Sequence, residues 1–397
     1  MRRGKRQMET RELYYLDHCG STPLAPEVHD AAQAFLNSGN FGNPAAVHHE
    51  AGLKAYQLVE DYRKVISKAL GASPEEIIFT SGATEANNLL LWGFALRYRT
   101  RGCHIIYGAT EHKSVFDTCQ ALCELLGITA SEAPVKSSGA TDLIALKALL
   151  EKSRGTPTLV AIMHTNNEIP VRSPIEEIST LCLTHGAFFH CDGVQGYVRE
   201  KIDFSKGTFG SYVISTHKIY GPKGLGILIL GSGALSPRLT PAYKGGSHER
   251  GIRPGTMNTL AIAAGARAIA LHESNRTARV KHMKDCANVF VETLRNLKGF
   301  HLTVPLNELA GGIVNFYVNG IDAPTLLQET PEVCINRGAS CTGSGGEKFS
   351  HVPKALGLPI EISANVLRAS FGDGVTVDQS RAAAEILIKN ISKLLLR

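Results

Sequence analysis

A lysine, an aspartate and a histidine each follow a short apolar run of this sequence, where their side chains could meet around a ligand. Lys218 lies in STHKIYGPKGLG, Asp192 ends the run AFFHC, and His112 follows HIIYGAT. A lysine in a pocket can lose its proton and form a Schiff base, and an acid at the end of a buried strand needs a partner. Each residue also has a simpler explanation in isolation: a solvated lysine, a structural salt bridge and a structural histidine.

The stretch FTSGATEANN adds a potential anion site. An apolar run leads through Ser-Gly-Ala-Thr into a helical pattern, and free backbone N–H groups at a helix N-terminus, here at Ala83 and Thr84, attract anions. The alternative is that Thr84 simply caps the helix. Together, a lysine, an acid for a ring nitrogen, a phosphate cradle and a stacking histidine are what the chemistry of pyridoxal 5'-phosphate (PLP) requires of a protein.

One cysteine has an unusual setting for its type. Cys341 lies in NRGASCTGSGGEKFSHV, among glycine, serine and charged residues, whereas a buried cysteine normally has apolar neighbours. Glycines and serine directly after it predict a flexible tether. The alternative to a functional thiol is an incidental exposed cysteine.

Composition narrows the class of protein. The 397 residues, 43% of them hydrophobic, indicate two domains or one large domain with a satellite. The net charge of +6 is of mixed sign and lacks the clustered stripe of a dedicated nucleic-acid binder, so direct nucleic-acid binding stays open. Nine cysteines without a CxxC pair indicate a reducing compartment. With no secretory signal and no membrane-spanning stretch, we expect a cytoplasmic protein.

Short apolar runs alternate with helical patterns between about residues 55 and 230. The runs are EEIIFTSG, HIIYGAT, LVAIMHTNNE, AFFHCDGVQ and GSYVISTHKIYG. This alternation predicts an α/β fold whose large sheet is mostly parallel and covered on both faces. Because ligands bind beyond the carboxyl ends of strands in such sheets, we expect the polar residues at those ends to form the active site.

The C-terminal part predicts helices around a second domain. NTLAIAAGARAIALHESN follows a Gly/Pro-rich connection, and the last segment opens with a capping residue before a helical stripe of apolar residues, Ala383, Leu387, Ile391, Leu394 and Leu395. We expect a large cofactor-binding domain over residues 26–264. A smaller α+β domain would combine residues 1–25 with 265–397 and carry the cysteine loop at about residues 336–352.

A family resemblance runs through these motifs. YYLDHCGSTPL, FGNPAAVHHEAG, FTSGATEANN, TEHKSV, MHTNNEIP, DGVQG, STHKIYGPKG, GGSHERGIRPGT and RGASCTG resemble, in the same order, the cysteine desulfurases, which are class V aminotransferase-like PLP enzymes of fold type I. The motifs span residues 14 to 372. The resemblance implies PLP as the cofactor and a fold-type I transferase with a large, mostly parallel-sheet domain and a smaller α+β domain.

The resemblance also implies residue roles. Lys218 would be the Schiff-base lysine, and His112 would stack on the pyridine ring and assist proton transfer. The other implied roles, by ligand group, are Asp192 for the ring nitrogen, Gln195 for the ring hydroxyl, Ala83, Thr84, Ser215 and His217 for the phosphate, Thr256 for the phosphate of the neighbouring subunit of a homodimer, and Asn167 with Arg368 for the substrate carboxylate.

Cys341 matches the sulfur-accepting cysteine of that family. The implied reaction converts L-cysteine to L-alanine and leaves a persulfide on Cys341, which a long mobile loop delivers to a sulfur-acceptor protein. The pathway could be iron–sulfur cluster assembly, tRNA thiolation or DNA phosphorothioation, and the departures below favour a specialised pathway such as the last. A selenocysteine lyase or cysteine desulfhydrase of the same fold is the alternative, and a non-catalytic assembly subunit is an alternative of another class.

Several positions depart from the family pattern. Arg337 stands in INRGASC where relatives commonly read SSGSAC, and we hypothesise that its charge lowers the pKa of the nearby thiol or contacts an anionic partner. Cys19 in LDHCGSTP is an extra thiol without an assigned role. The spacing of His112, Cys119 and Cys123 could hold a metal, but two cysteines on one apolar helix face are more often core, and we expect no metal site.

Overall fold

The computed structural model describes residues 12–305, 310–338 and 350–396. Its strands are β1 (Tyr14–Tyr15), β2 (Ile77–Thr80), β3 (His104–Gly108), β4 (Thr129–Ala133), β5 (Thr158–Ala161), β6 (Phe188–Asp192), β7 (Ser211–Ser215), β8 (Gly226–Leu230), β9 (Phe300–Leu302), β10 (Ile313–Val318), β11 (Val333–Cys334) and β12 (Leu367–Ser370). Its α-helices are α1 (Pro26–Asn37), α2 (Glu50–Leu70), α3 (Ala83–Tyr98), α4 (Lys113–Leu126), α5 (Leu143–Lys152), α6 (Ile175–His185), α7 (Val194–Arg199), α8 (Thr259–Leu294), α9 (Ala323–Glu329), α10 (Val352–Ala355), α11 (Ile360–Ser363) and α12 (Val377–Leu395).

Seven strands form the large sheet, in the order β2-β8-β7-β6-β5-β3-β4. Strands β7, β6, β5, β3 and β4 are mutually parallel, whereas β8 is antiparallel to both of its neighbours. The prediction of a mostly parallel sheet is confirmed, and all five predicted apolar runs are strands in it. The carboxyl ends of the parallel strands therefore lie along one edge, next to the segments that follow β3, β5, β6 and β7.

Alternate residues of these strands are buried on opposite faces of the large sheet. Phe79, Ile106 and Ile214 belong to one apolar cluster, and Ile105 and Val213 belong to another. Because successive strand side chains point to opposite faces, a continuous apolar run is needed where helices cover both sides. Helices α3 and α4 supply the second cluster, and α2, α6 and α8 contribute to the first.

A smaller, antiparallel sheet of order β12-β10-β9 lies in the C-terminal part, and β1 pairs with β11 in a separate parallel pair. Helix α8 packs against α1, α2 and α12, so it joins the N-terminal helices to the C-terminal part. The division into residues 26–264 and the remainder stays a prediction, because α8 runs without a break across residue 265.

The C-terminal helix is present as predicted. Thr376 caps α12 and forms a capping box with Gln379. Ala383, Leu387 and Ile391 of the predicted apolar stripe are buried, whereas Leu395, the last residue of the helix, is 46% exposed. Helix ends fray and offer few partners for burial. None of the helices in the described segments has the length and apolar character to cross a membrane.

Candidate active site

A cavity of about 490 Å³ opens at the carboxyl edge of the large sheet. Ten of the residues predicted from the sequence line it: Ala83, Thr84, His112, Asn167, Asp192, Gln195, Ser215, His217, Lys218 and Arg368. Thr256 does not line this cavity and is exposed to solvent. Cys341 lies outside the described residues.

Lys218 ends the 3-10 turn Thr216–Lys218 that follows β7. Its Nζ donates to the carbonyl oxygens of Cys19 and Gly20, at 2.5 Å from each. The pKa of Lys218 is lowered to about 8, chiefly by desolvation and also by the Arg368 guanidinium, while Cys19 and Asp17 oppose the shift. Because Lys218 lines the cavity and its Nζ donates to two backbone carbonyls, it is not an ordinary solvated surface lysine.

Asp192 is the last residue of β6 and is buried. Its Oδ1 accepts a hydrogen bond from the Val194 N–H at 3.0 Å, and its Oδ2 accepts one from Asn87 Nδ2 at 2.8 Å. Both of these donors are uncharged, so the two contacts are hydrogen bonds and not a salt bridge. The carboxylate is thus oriented towards the cavity with capacity left to accept a further donor.

His112 is the N-cap of α4, and its Nδ1 accepts a hydrogen bond from the Ser114 N–H at 3.1 Å. A backbone N–H can only donate, so Nδ1 carries no proton and the neutral ring holds its proton on Nε2. Burial lowers the pKa of His112, and the Lys218 ammonium adds to that shift while Asp192 opposes it. The hydrogen bond to Nδ1 and the lowered pKa both favour a neutral imidazole with an Nε2–H group.

The N-terminus of α3 borders the cavity through Ala83 and Thr84. Gly82 is the N-cap and no side chain caps the helix, so the alternative that Thr84 caps it is wrong. The first backbone N–H groups of an α-helix have no partner within the helix. Gly226 lets this turn approach the sheet, since a Cβ there would lie 2.4 Å from the Gly82 carbonyl carbon.

Ser215 and His217 approach the same region from the end of β7. Ser215 is buried, and His217 Nδ1 lies 3.2 Å from Ser21 Oγ. Desolvation lowers the pKa of His217 to about 4, and Lys218 and Lys223 add to the effect. This histidine is therefore neutral near pH 7 and can donate one hydrogen bond.

Arg368 lies on β12 and is 1% exposed. Its NH1 donates to the Asn167 carbonyl at 2.7 Å, and its NH2 donates to Asp17 Oδ1 at 2.5 Å. Nε has no hydrogen-bond partner among the described residues. A buried guanidinium that is held by two partners and has one unpartnered N–H suits a small carboxylate.

Cys19 and Gln195 form a polar cluster beside Lys218. Gln195 Oε1 accepts from Arg199 NH1 at 2.8 Å, and Gln195 Nε2 donates to the Cys19 carbonyl at 3.3 Å. The Cys19 thiol lies 3.5 Å from Gln195 Oε1 and lines the cavity. The extra thiol of the sequence is thus part of the cavity wall.

Two buried carboxylic acids that line the cavity were missed by the sequence reasoning. Glu111 and Glu168 are buried, and burial raises the pKa of both side chains above the usual value for glutamate. Glu111 Oε1 accepts from the Met163 N–H at 2.6 Å, while Oε2 of each glutamate has no partner among the described residues. Both follow strand ends, in TEHKSV and TNNEIP, which was the available signal.

The remaining sequence hypotheses have mixed outcomes. Arg337 NH2 donates to the Ala364 carbonyl at 3.0 Å, and the hypothesis about its effect on Cys341 concerns a residue outside the described ones. Cys119 is buried and Cys123 packs against the same apolar cluster. The described residues contain no group of three His, Cys, Asp or Glu side chains that could hold a metal ion.

The described cavity fits PLP. It combines a half-buried amine of lowered pKa, an oriented carboxylate, an uncapped helix N-terminus and a neutral histidine. Four buried polar atoms of its lining residues have no partner in the described chain: Glu111 Oε2, Thr165 Oγ1, Glu168 Oε2 and Arg368 Nε. Buried polar groups are normally hydrogen-bonded, so this cavity is suited to a polar ligand.

Known proteins share this sequence and fold. The family model described as aminotransferase class-V matches residues 14–379. The cysteine desulfurase IscS of Buchnera aphidicola is 36% identical over 383 residues, which cover 96% of this chain and 93% of that protein. A probable mitochondrial cysteine desulfurase of Dictyostelium discoideum is 38% identical over 390 residues, 96% of this chain and 83% of that protein.

A solved structure named as a NifS-like protein superimposes with a TM-score of 0.86 at 28% identity, over 96% of this chain and all of the other. The match of the family model and the near full-length identity to the relatives agree with the cavity at the carboxyl edge of the sheet. The chain belongs to the class-V aminotransferase family and, within that family, to the cysteine desulfurases.

Proposed function

We propose that this cavity converts L-cysteine to L-alanine, with PLP as cofactor, and that the released sulfur is left as a persulfide on Cys341. The observation that carries the proposal is the convergence of ten residues on a single cavity, from the segments after β3, β5, β6 and β7, the N-terminus of α3 and strand β12. Family membership supports the reaction and the cofactor. The individual residue roles and the place of Cys341 are our proposals.

The cofactor has a distinct set of partners. Asp192 would hold the ring nitrogen, Gln195 the ring hydroxyl and His112 the ring face. The phosphate would lie at the N-terminus of α3, with Thr84, Ser215 and His217 around it. When bound, PLP supplies an electron sink for the carbanion that forms at the substrate Cα.

The substrate carboxylate would bind to Arg368. Its guanidinium is oriented by Asp17 and by the Asn167 carbonyl, and its Nε has no partner in the described chain. Asn167 lines the cavity beside it. A guanidinium binds a carboxylate through two parallel hydrogen bonds, which fixes the orientation of the substrate as well as its position.

Two side chains take part in proton transfer. The lowered pKa of Lys218 leaves part of its amine neutral near pH 7, so Nζ can act as a nucleophile and as a base. His112 holds its proton on Nε2, because Nδ1 accepts from Ser114, and the neutral Nε2–H group can therefore donate a hydrogen bond to a developing anion and so assist proton transfer. These roles make Lys218 the base of the cavity and His112 its hydrogen-bond donor.

The sulfur step involves Cys341. Its thiolate would attack the sulfur of the bound substrate, a new S–S bond would form, and the Cβ–S bond of the substrate would break with its electron pair moving to carbon. Protonation of that carbon completes alanine. The balance is L-cysteine plus Cys341–SH giving L-alanine plus Cys341–S–SH, so no further oxidant or reductant is needed until the persulfide is transferred.

The assembly and location of the protein are further parts of this proposal. We propose a homodimer in which Thr256, exposed here, reaches the phosphate site of the other subunit. An acceptor protein would take the sulfur from Cys341. A cytoplasmic location is supported by the eight cysteines of the described chain, all of which are free thiols. DNA phosphorothioation remains our proposal for the pathway.

The reaction is tested by measuring alanine and sulfide from L-cysteine with a thiol reductant, using the wild-type protein and Cys341→Ser. We expect the wild type to form both products and the variant to form neither at a comparable rate. Equal activity would mean that Cys341 is not the nucleophile and would favour a lyase or desulfhydrase. Fast turnover of selenocysteine with little of cysteine would identify a selenocysteine lyase, and a protein that binds no cofactor would identify a non-catalytic subunit.

A further inference from the structure

A fully buried amide lies between the aspartate and the histidine of the cavity. Asn87 is on the second turn of α3, is 0% exposed and does not line the cavity. Its Nδ2 is 2.8 Å from Asp192 Oδ2 and also 2.8 Å from Ser114 Oγ. Ser114 Oγ is in turn 2.9 Å from His112 Nδ1. One side chain therefore connects the two groups proposed to hold the ring nitrogen and the ring face.

The chemistry of the partners fixes which atom of the amide faces which group. An ionised carboxylate only accepts hydrogen bonds, so the nitrogen of Asn87 must face Asp192. The second hydrogen of the same nitrogen then points to Ser114 Oγ. The Ser114 N–H donates to His112 Nδ1, so Nδ1 carries no proton. The Ser114 hydroxyl can therefore only donate to Nδ1, whose lone pair it shares with that N–H. The direction of donation is thus Asn87 to Ser114 to His112.

The other end of the amide is fixed from the core. His190 Nε2 lies 3.0 Å from Asn87 Oδ1, and His190 Nδ1 lies 2.9 Å from Ser211 Oγ. Desolvation lowers the pKa of His190 to about 3, so this ring is neutral and donates from Nε2 to the amide oxygen. Every polar atom of the Asn87 side chain is satisfied, which prevents the amide from rotating.

We propose that Asn87 is a positioning residue that couples Asp192 to His112, holding the carboxylate with one amide hydrogen and, through the Ser114 hydroxyl, the imidazole with the other. The inference rests on the proposed function, because Asn87 has this role only if Asp192 and His112 have the roles proposed for them. A hydrogen-bonded support of this kind would keep the two groups in a fixed position relative to each other, as residues that hold one cofactor need. Asn87 itself touches neither cofactor nor substrate in this arrangement.

A double-mutant cycle tests the coupling on the cofactor-loaded protein. The variants are Asn87→Ala, Ser114→Ala and the double substitution, with Asn88→Ala as a matched control. Asn88 is the next residue of the same helix, and its amide donates to the Thr84 carbonyl instead of to Asp192 or Ser114. The readouts are the visible absorption band of the bound cofactor, and kcat and KM for L-cysteine measured separately.

We expect Asn87→Ala to lower kcat about 10- to 100-fold, the usual effect of losing a buried supporting hydrogen bond at a site, and to shift the cofactor band because Asp192 loses a donor. Ser114→Ala should lower kcat without moving the band, since it removes the hydroxyl that links Asn87 to His112 and leaves the bond between Asn87 and Asp192 in place. In the Asn87→Ala background, Ser114→Ala should cost clearly less than it does alone, because its hydroxyl is no longer oriented. Asn88→Ala should match the wild type in both readouts.

The proposal is overturned if Asn87→Ala behaves like Asn88→Ala, or if Ser114→Ala costs the same factor in both backgrounds. If Asn87→Ala does not fold, Ser114→Thr against Ser114→Ala keeps the test: the threonine should retain kcat because it keeps the hydroxyl, and equal losses would reject the relay. A wild-type protein that binds PLP but does not act on L-cysteine would reject the proposed function, and the band shift of Asn87→Ala would still decide the role of Asn87.

Discussion

Two walls of the cavity are built in different ways. The sheet wall consists of His112, Asp192 and Lys218, each within a residue or a short turn of the end of a parallel strand. The strap wall consists of Cys19 and Arg368, and Asp17 pairs with Arg368 next to it. At this wall a segment after β1 is held against β12. Asp17 forms an isolated bridge with Ser370, and the Cys19 N–H donates to Ser370 Oγ at 2.9 Å.

The difference lies in how far apart in sequence the interacting groups are. The sheet wall is positioned mainly by strand ends and local turns, such as the cap of α4 by His112. The strap wall depends on contacts between the two ends of the chain, since Arg368 pairs with Asp17 across more than 350 residues of sequence. We therefore expect the sheet wall to govern the chemistry and the strap wall to govern the capture and orientation of the substrate.

The largest effect should come from the sheet wall. Lys218→Ala removes a cavity-lining amine whose pKa is lowered, so we expect kcat to fall by about 10²- to 10⁴-fold or more. Turnover of L-cysteine to alanine is the measurement. Lys223→Ala is the matched control, since Lys223 lines the same cavity but is exposed. Comparable losses of kcat in both variants would mean that Lys218 has no role in the reaction that Lys223 lacks.

Arg368→Lys probes the strap wall. A lysine keeps the positive charge opposite Asp17 but cannot form two parallel bonds to a carboxylate. Losing a charged hydrogen bond costs about 1.5–3 kcal/mol, so we expect KM for L-cysteine to rise about 10- to 100-fold. The visible band of the bound cofactor should not change. A change in kcat and band with KM unaffected would place Arg368 in the chemistry and break the division between the walls.

Asp17→Asn should have a smaller effect in the same direction. The asparagine keeps the shape of the side chain that receives Arg368 NH2, but the ion pair becomes a neutral hydrogen bond. We expect KM to rise about fivefold, equivalent to about 1 kcal/mol. Steady-state kinetics would show it, and an unchanged KM would mean that Asn167 alone orients the guanidinium.

The last prediction concerns stability instead of kinetics: the free energy of unfolding of the protein freed of cofactor should depend on pH. The pKa of Lys218 is about 8 in the folded protein and 10.5 ordinarily. Between these values the unfolded chain binds more protons, so the free energy of unfolding should rise with pH, by at most about 3 kcal/mol. Denaturant unfolding at pH 7 and pH 10 of wild type and Lys218→Met isolates this contribution. A difference between the two proteins that does not change with pH would mean that the lysine is not desolvated.

The residues that line the cavity differ in how far their positions can be predicted from the sequence. Strand ends are readable from apolar runs, so His112, Asp192 and Lys218 can be placed on one edge of the sheet from the sequence alone. The glutamates Glu111 and Glu168 cannot, because a polar residue after a strand looks the same in sequence whether it is solvated or buried. Their burial depends on side chains from distant parts of the chain.

In the fold, the antiparallel strand β8 was the least predictable feature. Its run GILIL follows a Gly/Pro turn after Lys218, and periodicity does not reveal whether such a strand inserts between β2 and β7 or extends the sheet. Asn87 was equally hidden: NN in a helical pattern indicates a polar face, yet Asn87 is buried and Asn88 is not. Only the packing of α3 against α4 and β6 distinguishes the two.

The most direct test of the central claim, that Lys218 carries the cofactor in this cavity, is to reduce the cofactor-loaded protein with borohydride and map the attached group by mass spectrometry. Borohydride converts an imine between a lysine and the cofactor into a stable amine. We predict that the label lies on Lys218 and on no other lysine. The Lys218→Ala variant should carry no label. A label on Lys223 or another lysine, or none on the wild type, would contradict the account.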